Sequence, residues 1–405
     1  MIMDSITKNK IRLLGLICLW ALIGAGCDSM RSRSGYSIQY YYTQTGDGYT
    51  LCLRRYEPKT LDANKNPVIL CHGLGYNLLF WDLADKVSLP AYLARNGYDV
   101  WSLSLRGAAP SSQPLASSLR KLGRFNLEQE VLKTLQKRGA DVKMVDWSVD
   151  DHIRHDVPAA LRFVREQTGY EKIHWIGHSM GGMIMFAYLG QGGVEAAASV
   201  KSFVAVAVPM AVFHPLSEPF RFLLDAQPAL GVGSKIVGSS APATAGLIFG
   251  DMNTEIDKLF YNGKNVGEDV IRSLFRLAQE EISPGQLNQL LEMVRNERFC
   301  SLDKTTDYTA ALPAVVTPTY FMVGTVDNMA TVGAVQYAYR EVASENKRFG
   351  LFGRVNGHKN DYGHDDIVIG QNALKEVYPT IFEWLNPFSV DVDESRLPLQ
   401  PKEIK

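Results

Sequence analysis

The chain has 405 residues, 46% of them hydrophobic and 21% charged, with 34 Gly and 18 Pro. That composition belongs to an ordered globular protein and excludes disordered, collagen-like and coiled-coil chains. With 42 basic and 43 acidic residues the formal net charge is −1, so no overall field favours nucleic acid or an anionic membrane. The five cysteines lack the paired spacing of a structural zinc site, and no metal and no cofactor is expected.

Lys8, Lys10 and Arg12 precede an apolar run from Leu13 to Ala25; Gly26 and Cys27 come next, then the polar stretch from Asp28 to Ser32. The run is shorter than the ~20 residues a spanning helix needs, and the order of basic, apolar and small residues is that of an export signal. Residues 1–27 are predicted to be a signal peptide of lipoprotein type, with Cys27 acylated and the membrane surface its partner through the acyl chains. Plain secretion and an uncleaved anchor are the alternatives. Asp28 resembles a signal for retention in the inner membrane, which would put the protein on its periplasmic face. Residues 28–35 read as a tether.

Beyond the tether, short β-branched or aromatic runs alternate with helical patterns, and there is no internal repeat. This predicts an α/β fold, a mostly parallel sheet with helices on both faces and a helical lid insertion. Tyr36 to Thr43 and Tyr49 to Tyr56, joined by Thr45-Gly46-Asp47-Gly48, read as an antiparallel hairpin, because Asp-Gly supplies the positive φ of a tight turn. Further strands are expected at Val68 to Cys71, Asp99 to Leu105, Lys172 to Ile176, Phe203 to Val208, Thr319 to Val323 and Arg348 to Val355. Most are continuous apolar runs, as strands buried on both faces should be. Asp151 to Gln167 places Ile153, Val157, Ala160, Leu161 and Val164 on one helical stripe, and Gly181 to Leu189 reads as a second helix.

Two stretches interrupt the alternation. Ala108 to Val145 begins as a Pro/Ser-rich loop and becomes a basic amphipathic segment. Residues 209–312 are helical in pattern, with apolar stripes from Val270 to Ala278 and from Leu287 to Val294, and read as a lid over a ligand site; a helical domain without a role in the site is the alternative. The core is then split into 36–208 and 313–388, with 389–405 as a tail.

The chemistry is clearest where Lys172 to Ile176 runs into Gly177-His178-Ser179-Met180-Gly181-Gly182 and an apolar helix. A strand, a GxSxG turn and a helix in succession form a nucleophile elbow, with Ser179 strained and exposed at the turn; the alternative is a Gly-rich turn whose serine merely caps the helix. The second piece is Val-Ile-Leu-Cys71-His72-Gly73-Leu74-Gly75. Backbone N–H groups of Leu74 and Met180 are the candidate oxyanion donors. A dinucleotide turn is disfavoured because Leu78 stands where the third glycine would be. His72 reads as structural.

Asp327 ends the strand that begins near Pro318, which makes it the candidate acid; a helix cap is the alternative, and Asp303 or Asp307 are weaker candidates. The candidate base is His364, which immediately precedes a final helix expected from Ile367 onward, with His358 as the alternative, both lying after the last strand; Tyr362 is expected to pack beneath His364. His364 would take the Ser179 proton and Asp327 would fix its tautomer. His152 and His155 have a spacing a metal could use, but a solvated helix face is expected, since no third ligand with supporting spacing is visible.

Asp47-Gly48-Tyr49-Thr50-Leu51, His72-Gly73-Leu74, Gly97 to Trp101 with Arg106-Gly107, Trp147-Ser148 with Asp151, Asp156 to Ala159, and Gln167 to Ile173 leading into Gly177-His178-Ser179 follow one another in order. Gly324 to Ala330 and Gly363-His364-Asp365 continue the series. In these motifs the chain resembles the acid lipase family of α/β-hydrolases, which includes lysosomal and gastric lipases, over about residues 40 to 385. The resemblance implies hydrolysis of acylglycerols or sterol esters beneath a helical lid. Met180-Gly181-Gly182 stands where that family usually has Gln-Gly-Thr, and the lid carries no family motif. The expected function is a membrane-attached serine esterase or lipase for apolar esters. An acyltransferase, a hydrolase of another acyl substrate and a non-catalytic lipid-binding lipoprotein are the alternatives.

Overall fold

The computed structural model describes residues 35–111, 147–212, 257–280 and 282–386. The expected signal peptide with Cys27, the rest of the tether, most of the basic segment, the first part of the insertion and the tail lie outside the described residues.

The strands are β1 (Tyr36–Gln44), β2 (Thr50–Pro58), β3 (Val68–Cys71), β4 (Asp82–Ala84), β5 (Val87–Ser88), β6 (Val100–Ser104), β7 (Ile173–His178), β8 (Val200–Val206), β9 (Thr319–Gly324) and β10 (Lys347–Phe352). β4 and β5 form a small separate sheet; the other eight form one sheet in the order β1-β2-β6-β3-β7-β8-β9-β10. β2 runs antiparallel to both β1 and β6, and the pairs from β6 to β10 are parallel. The expected α/β class and mostly parallel sheet are borne out. β3, β6, β7 and β9 are buried along their whole length, which explains their unbroken apolar sequences. The edge strand β1 instead alternates between covered and exposed residues.

From β3 the chain crosses to β6 on one side and returns to β7 on the other. The carboxyl ends of β3 and β7 therefore flank a topological switch point, where a crevice opens in folds of this kind. The loop after β3 and the turn after β7 both reach it.

The helices used below are α1 (Val157–Thr168), α2 (Met180–Ser199), α3 (Pro284–Asn296) and α4 (Tyr378–Leu385). The stripe Ile153, Val157, Ala160, Leu161 and Val164 is buried as expected. Its first turns, however, are a short helical turn at Val149–Asp151 and a wider π turn at His152–Asp156. At the other end the expected last strand stops early: Val355 lies beyond β10 and is 79% exposed. The single final helix expected from Ile367 is three short pieces, Asp366–Ile369, Ala373–Glu376 and α4.

The described part of the insertion is fastened to the core. Asn77 N–H donates to the Ala278 carbonyl at 2.9 Å and Glu280 N–H to the Gly75 carbonyl at 2.7 Å. Farther along, α3 docks through two buried amides: Gln286 Nε2 reaches His152 Nε2 at 2.8 Å and Gln289 Nε2 reaches Asp150 Oδ1 at 2.6 Å.

Candidate active site

Ser179 sits between β7 and α2 with φ 50° and ψ −121°, a conformation strained for any residue with a Cβ. The turn is forced by close passage of backbones. A Cβ on Gly177 would lie 2.4 Å from the Gly181 carbonyl oxygen, and one on Gly181 would lie 2.3 Å from the Cys71 carbonyl oxygen. Ser179 N–H is held by the Val206 carbonyl of β8 at 2.9 Å, and the side chain is 9% exposed at the crevice.

The structure brings Asp327 and His364 together. His364 Nδ1 lies 3.1 and 3.0 Å from the two Asp327 carboxylate oxygens, so Nδ1–H donates to the carboxylate and Nε2 is the ring nitrogen with the lone pair. Burial opposes charging of the imidazole, but the Asp327 carboxylate and its hydrogen bond outweigh it and hold His364 above its ordinary pKa. Asp327 also accepts from the N–H groups of Met329 and Ala330 at 2.9 and 2.8 Å, so it closes its own turn while meeting the imidazole. The ring of His364 lies 4.9 Å from that of His178, the neighbour of Ser179.

Leu74 lies in the loop after β3, next to Gly73, where an added Cβ would stand 3.2 Å from the Ser179 Cβ, and Met180 opens α2 directly after Ser179. Among the described residues, neither backbone N–H donates to a protein acceptor, as an oxyanion site requires. His72 links this loop to β6: Leu105 N–H donates to its Nε2 at 3.2 Å and its Nδ1 meets the Gly73 carbonyl at 2.8 Å. Burial pushes its pKa down to about 4, so it is a neutral brace.

The alternative residues lie apart from this group. His358 contacts the Gly353 backbone and the Phe352 ring. Asp303 bonds within its own turn to Ser301 and Thr305, and Asp307 pairs with Arg298. Tyr362 does not lie under His364 as expected; its ring faces Phe352 and His358 and its hydroxyl donates to Glu376.

The solvated helix face expected around His152 is also corrected. His152 is 0% exposed because α3, from the distant insertion, covers it. Its Nδ1 lies 2.7 Å from Asp156 Oδ2. Asp156 in turn pairs with Arg106, whose guanidinium also grips Asp47 at 2.7 and 3.0 Å and stands 4.3 Å over the Tyr49 ring. The motif residues Asp47, Tyr49, Arg106 and Asp156 thus form one network, buried at Arg106 and Asp156 and reaching the surface at Asp47, that binds the hairpin to the core.

Sequence reasoning missed the wall behind the imidazole. His178 Nε2–H donates to the His364 carbonyl at 3.0 Å and its ring stacks on Phe80 at 4.7 Å. Asp365 accepts from the Tyr76 hydroxyl at 2.6 Å. Asp366 accepts from Asn262 N–H, Gly363 N–H and Asn265 Nδ2 at 3.0, 2.9 and 2.8 Å. Two adjacent acids opening an otherwise apolar element, Asp365-Asp366-Ile367-Val368-Ile369, were the available signal. His178, His364 and Asp365 bring ligand-type atoms within 4.8 Å of one another. The Nε2 of His178 and the Nδ1 of His364 already donate to oxygen acceptors.

A family model described as the alpha/beta hydrolase fold matches residues 66–355, and one described as a partial alpha/beta-hydrolase lipase region matches residues 27–81. Triacylglycerol lipase 2 of Arabidopsis thaliana is 26% identical over 396 residues, covering 88% of this chain and 86% of that protein. Human lysosomal acid lipase/cholesteryl ester hydrolase is 29% identical over 221 residues, 49% of this chain and 50% of that one. In structure, an esterase from Exiguobacterium antarcticum superposes with a TM-score of 0.54 at 15% identity, over 85% of this chain and 98% of that chain. The chain belongs to the alpha/beta hydrolase family as an acid-lipase-like member, a carboxylic ester hydrolase of the lipase and esterase kind.

Proposed function

We propose that the chain cleaves apolar carboxylic esters through an acyl-enzyme, with Ser179 as nucleophile, His364 as general base and acid, and Asp327 as the carboxylate that orients the imidazole. His364 Nε2 takes the Ser179 proton as Oγ attacks the ester carbonyl carbon. The resulting oxyanion accepts hydrogen bonds from the N–H groups of Leu74 and Met180, each contributing on the order of 3 kcal/mol in the transition state. Collapse of the intermediate expels the alkoxide, which takes its proton from His364. Water, deprotonated by the same imidazole, then attacks the acyl group and frees Ser179.

The observation that carries this reading is an imidazole bonded to both Asp327 oxygens and packed 4.9 Å from the ring of His178, the residue before a serine forced into an elbow. The apolar pattern of residues 209–312 suits a lid over a greasy acyl chain, between core segments 36–208 and 313–388. The names of the plant and human relatives favour an acylglycerol or sterol ester as substrate. Export fits the lysosomal relative, and attachment to a membrane is assigned to acyl chains on Cys27. No helix among the described residues is long and apolar enough to cross a membrane.

The test is hydrolysis of p-nitrophenyl esters of increasing chain length by the full chain in detergent, beside Ser179→Ala. The parent should turn over and the variant should lose about 10⁴-fold or more. Equal turnover would discard Ser179. Silence of the parent would favour a lipid-binding lipoprotein, and diversion of the acyl group to an added alcohol would favour a transferase.

A further inference from the structure

Asp365 is fully buried directly after His364 and meets the turn after β3, the end of β7 and the insertion. Its Oδ2 accepts from Tyr76, in the turn that also carries Leu74, at 2.6 Å. Its Oδ1 lies 3.6 Å from His178 Nε2 and has no hydrogen-bond partner. Its N–H donates to the Phe260 carbonyl of the insertion at 2.6 Å. Phe80 stacks on both Tyr76 and His178, at 4.9 and 4.7 Å, so the oxyanion turn, the strand before the nucleophile and the base loop share one packed wall. A buried carboxylate with an oxygen left unbonded costs free energy that an apolar side chain of similar volume would not. A wall that only filled space would not need it.

We propose that Asp365 is a positioning residue for this reaction: its ionised carboxylate holds Tyr76 and faces the Nε2–H of His178, keeping that N–H on the His364 carbonyl and so setting His364 against Ser179, while its protonation releases that hold. The proposal rests on the triad reading above. The groups that face Asp365 are Tyr76 from the turn after β3, His178 from β7, Tyr261 from the insertion, Asp327 from the loop after β9, and His364 and Asp366 from its own turn. Burial pushes its carboxyl up to about 6, against the pull of His364 and of the Tyr76 hydrogen bond and with a further push from Asp327.

When a solvent proton binds Oδ1, an acceptor becomes a donor aimed at the Nε2–H of His178. Burial, and then the neighbouring His364, keep His178 well below its ordinary pKa, so it stays neutral. Its own proton moves from Nε2 to Nδ1, which has no partner, and Nε2 then accepts from Asp365. The His364 carbonyl loses the donor that fixed it, and the base loop loosens.

The experiment is kcat/KM against pH from 4 to 8 for the full chain with a short-chain ester, its acid product read by chromatography, together with thermal unfolding. The parent should show an acid limb whose slope approaches two, because His364 and Asp365 must both lose a proton. In Asp365→Asn the slope should fall to one and the limb should move to lower pH, since a negative charge no longer supports the imidazolium. Its kcat should drop about tenfold with KM within about twofold, as misplacement of a reacting group predicts. Tyr76→Phe should move the limb the other way, to higher pH, because Asp365 loses a donor to its charged form. It also decides the question alone if Asp365→Asn does not fold.

A slope of one in the parent, or one unmoved limb in all three proteins with activity tracking thermal stability, would overturn the proposal. Ser179→Ala, run alongside, separates the two readings. Turnover retained there removes the triad itself, whereas turnover lost there with parent-like limbs in the other variants removes only the role of Asp365.

Discussion

Ser179 is fixed by backbones that pass one another too closely for a side chain, whereas His364 rides on a loop fixed by buried carboxylates. On the nucleophile side the contacts are Gly177 against Gly181 and Gly181 against Cys71, and no ionisable group takes part in these two. On the base side Asp327 holds the ring, Asp365 holds Tyr76, and Asp366 gathers three donors from residues 262, 265 and 363. Burial pushes Asp366 up to about 7 even though its hydrogen bonds pull the other way. A turn locked by sterics does not respond to pH or salt, while a loop locked by buried acids does. On the mechanism proposed above, the half of the site assigned to proton transfer is therefore also the half whose support titrates.

The sharpest way to break this contrast is to touch one side without the other. Asp327→Asn keeps an acceptor for the Met329 and Ala330 amides but presents the wrong partner to His364 Nδ1. It should lower kcat by about 10⁴-fold with thermal stability nearly unchanged, as loss of the correct imidazole tautomer does in triad enzymes; a loss under tenfold would show that the imidazole is oriented by something else. Gly181→Ala should do the reverse. Its Cβ meets backbone at 2.3 and 2.6 Å, the carbonyls of Cys71 and His72, so nothing flexible can yield, and unfolding should be easier by about 3 kcal/mol or more. Gly182→Ala meets the Val208 side chain at 2.2 Å; that side chain can turn, and the cost measured by chemical denaturation should be clearly smaller.

The same contrast governs what could be read from the sequence. The elbow is local: strand, glycines, serine and helix follow one another within twenty residues, roughly the length of one supersecondary turn, and the parallel sheet follows from unbroken apolar runs. The base loop is not local. Tyr76 and Asp365 meet across 289 positions and Gln286 and His152 across 134, so no window of sequence contains the contact. This is why His152 reads as solvated from helical periodicity although α3 buries it, and why the choice between His358 and His364 rests on which one precedes the last helical element. The strand boundary at Phe352 fails for a related reason: Arg348 to Val355 is apolar enough for a strand, but among the described residues β10 pairs with β9 alone, which ends at Gly324 opposite Phe352.

His174 provides the smallest and cleanest comparison, because it lies on β7 yet belongs to the support of the fold and not to the site. It is buried, with Nδ1 2.8 Å from the Ser202 hydroxyl, and burial, then Lys201, pushes its pKa down to about 3. The unfolded chain therefore binds a proton near pH 6.5 that the native chain refuses until about pH 3, so native stability is full above 6.5 and is lost as pH falls through this window. Between pH 6.5 and 4.5 the loss from this group is about 2 to 3 kcal/mol. His174→Gln should flatten the acid side of the stability curve by that amount in urea titrations and leave the pH limb of kcat/KM where it was. If the limb moved with it, a proton at the start of β7 would reach the base loop, and the titrating support would not be confined to His178 and the buried acids.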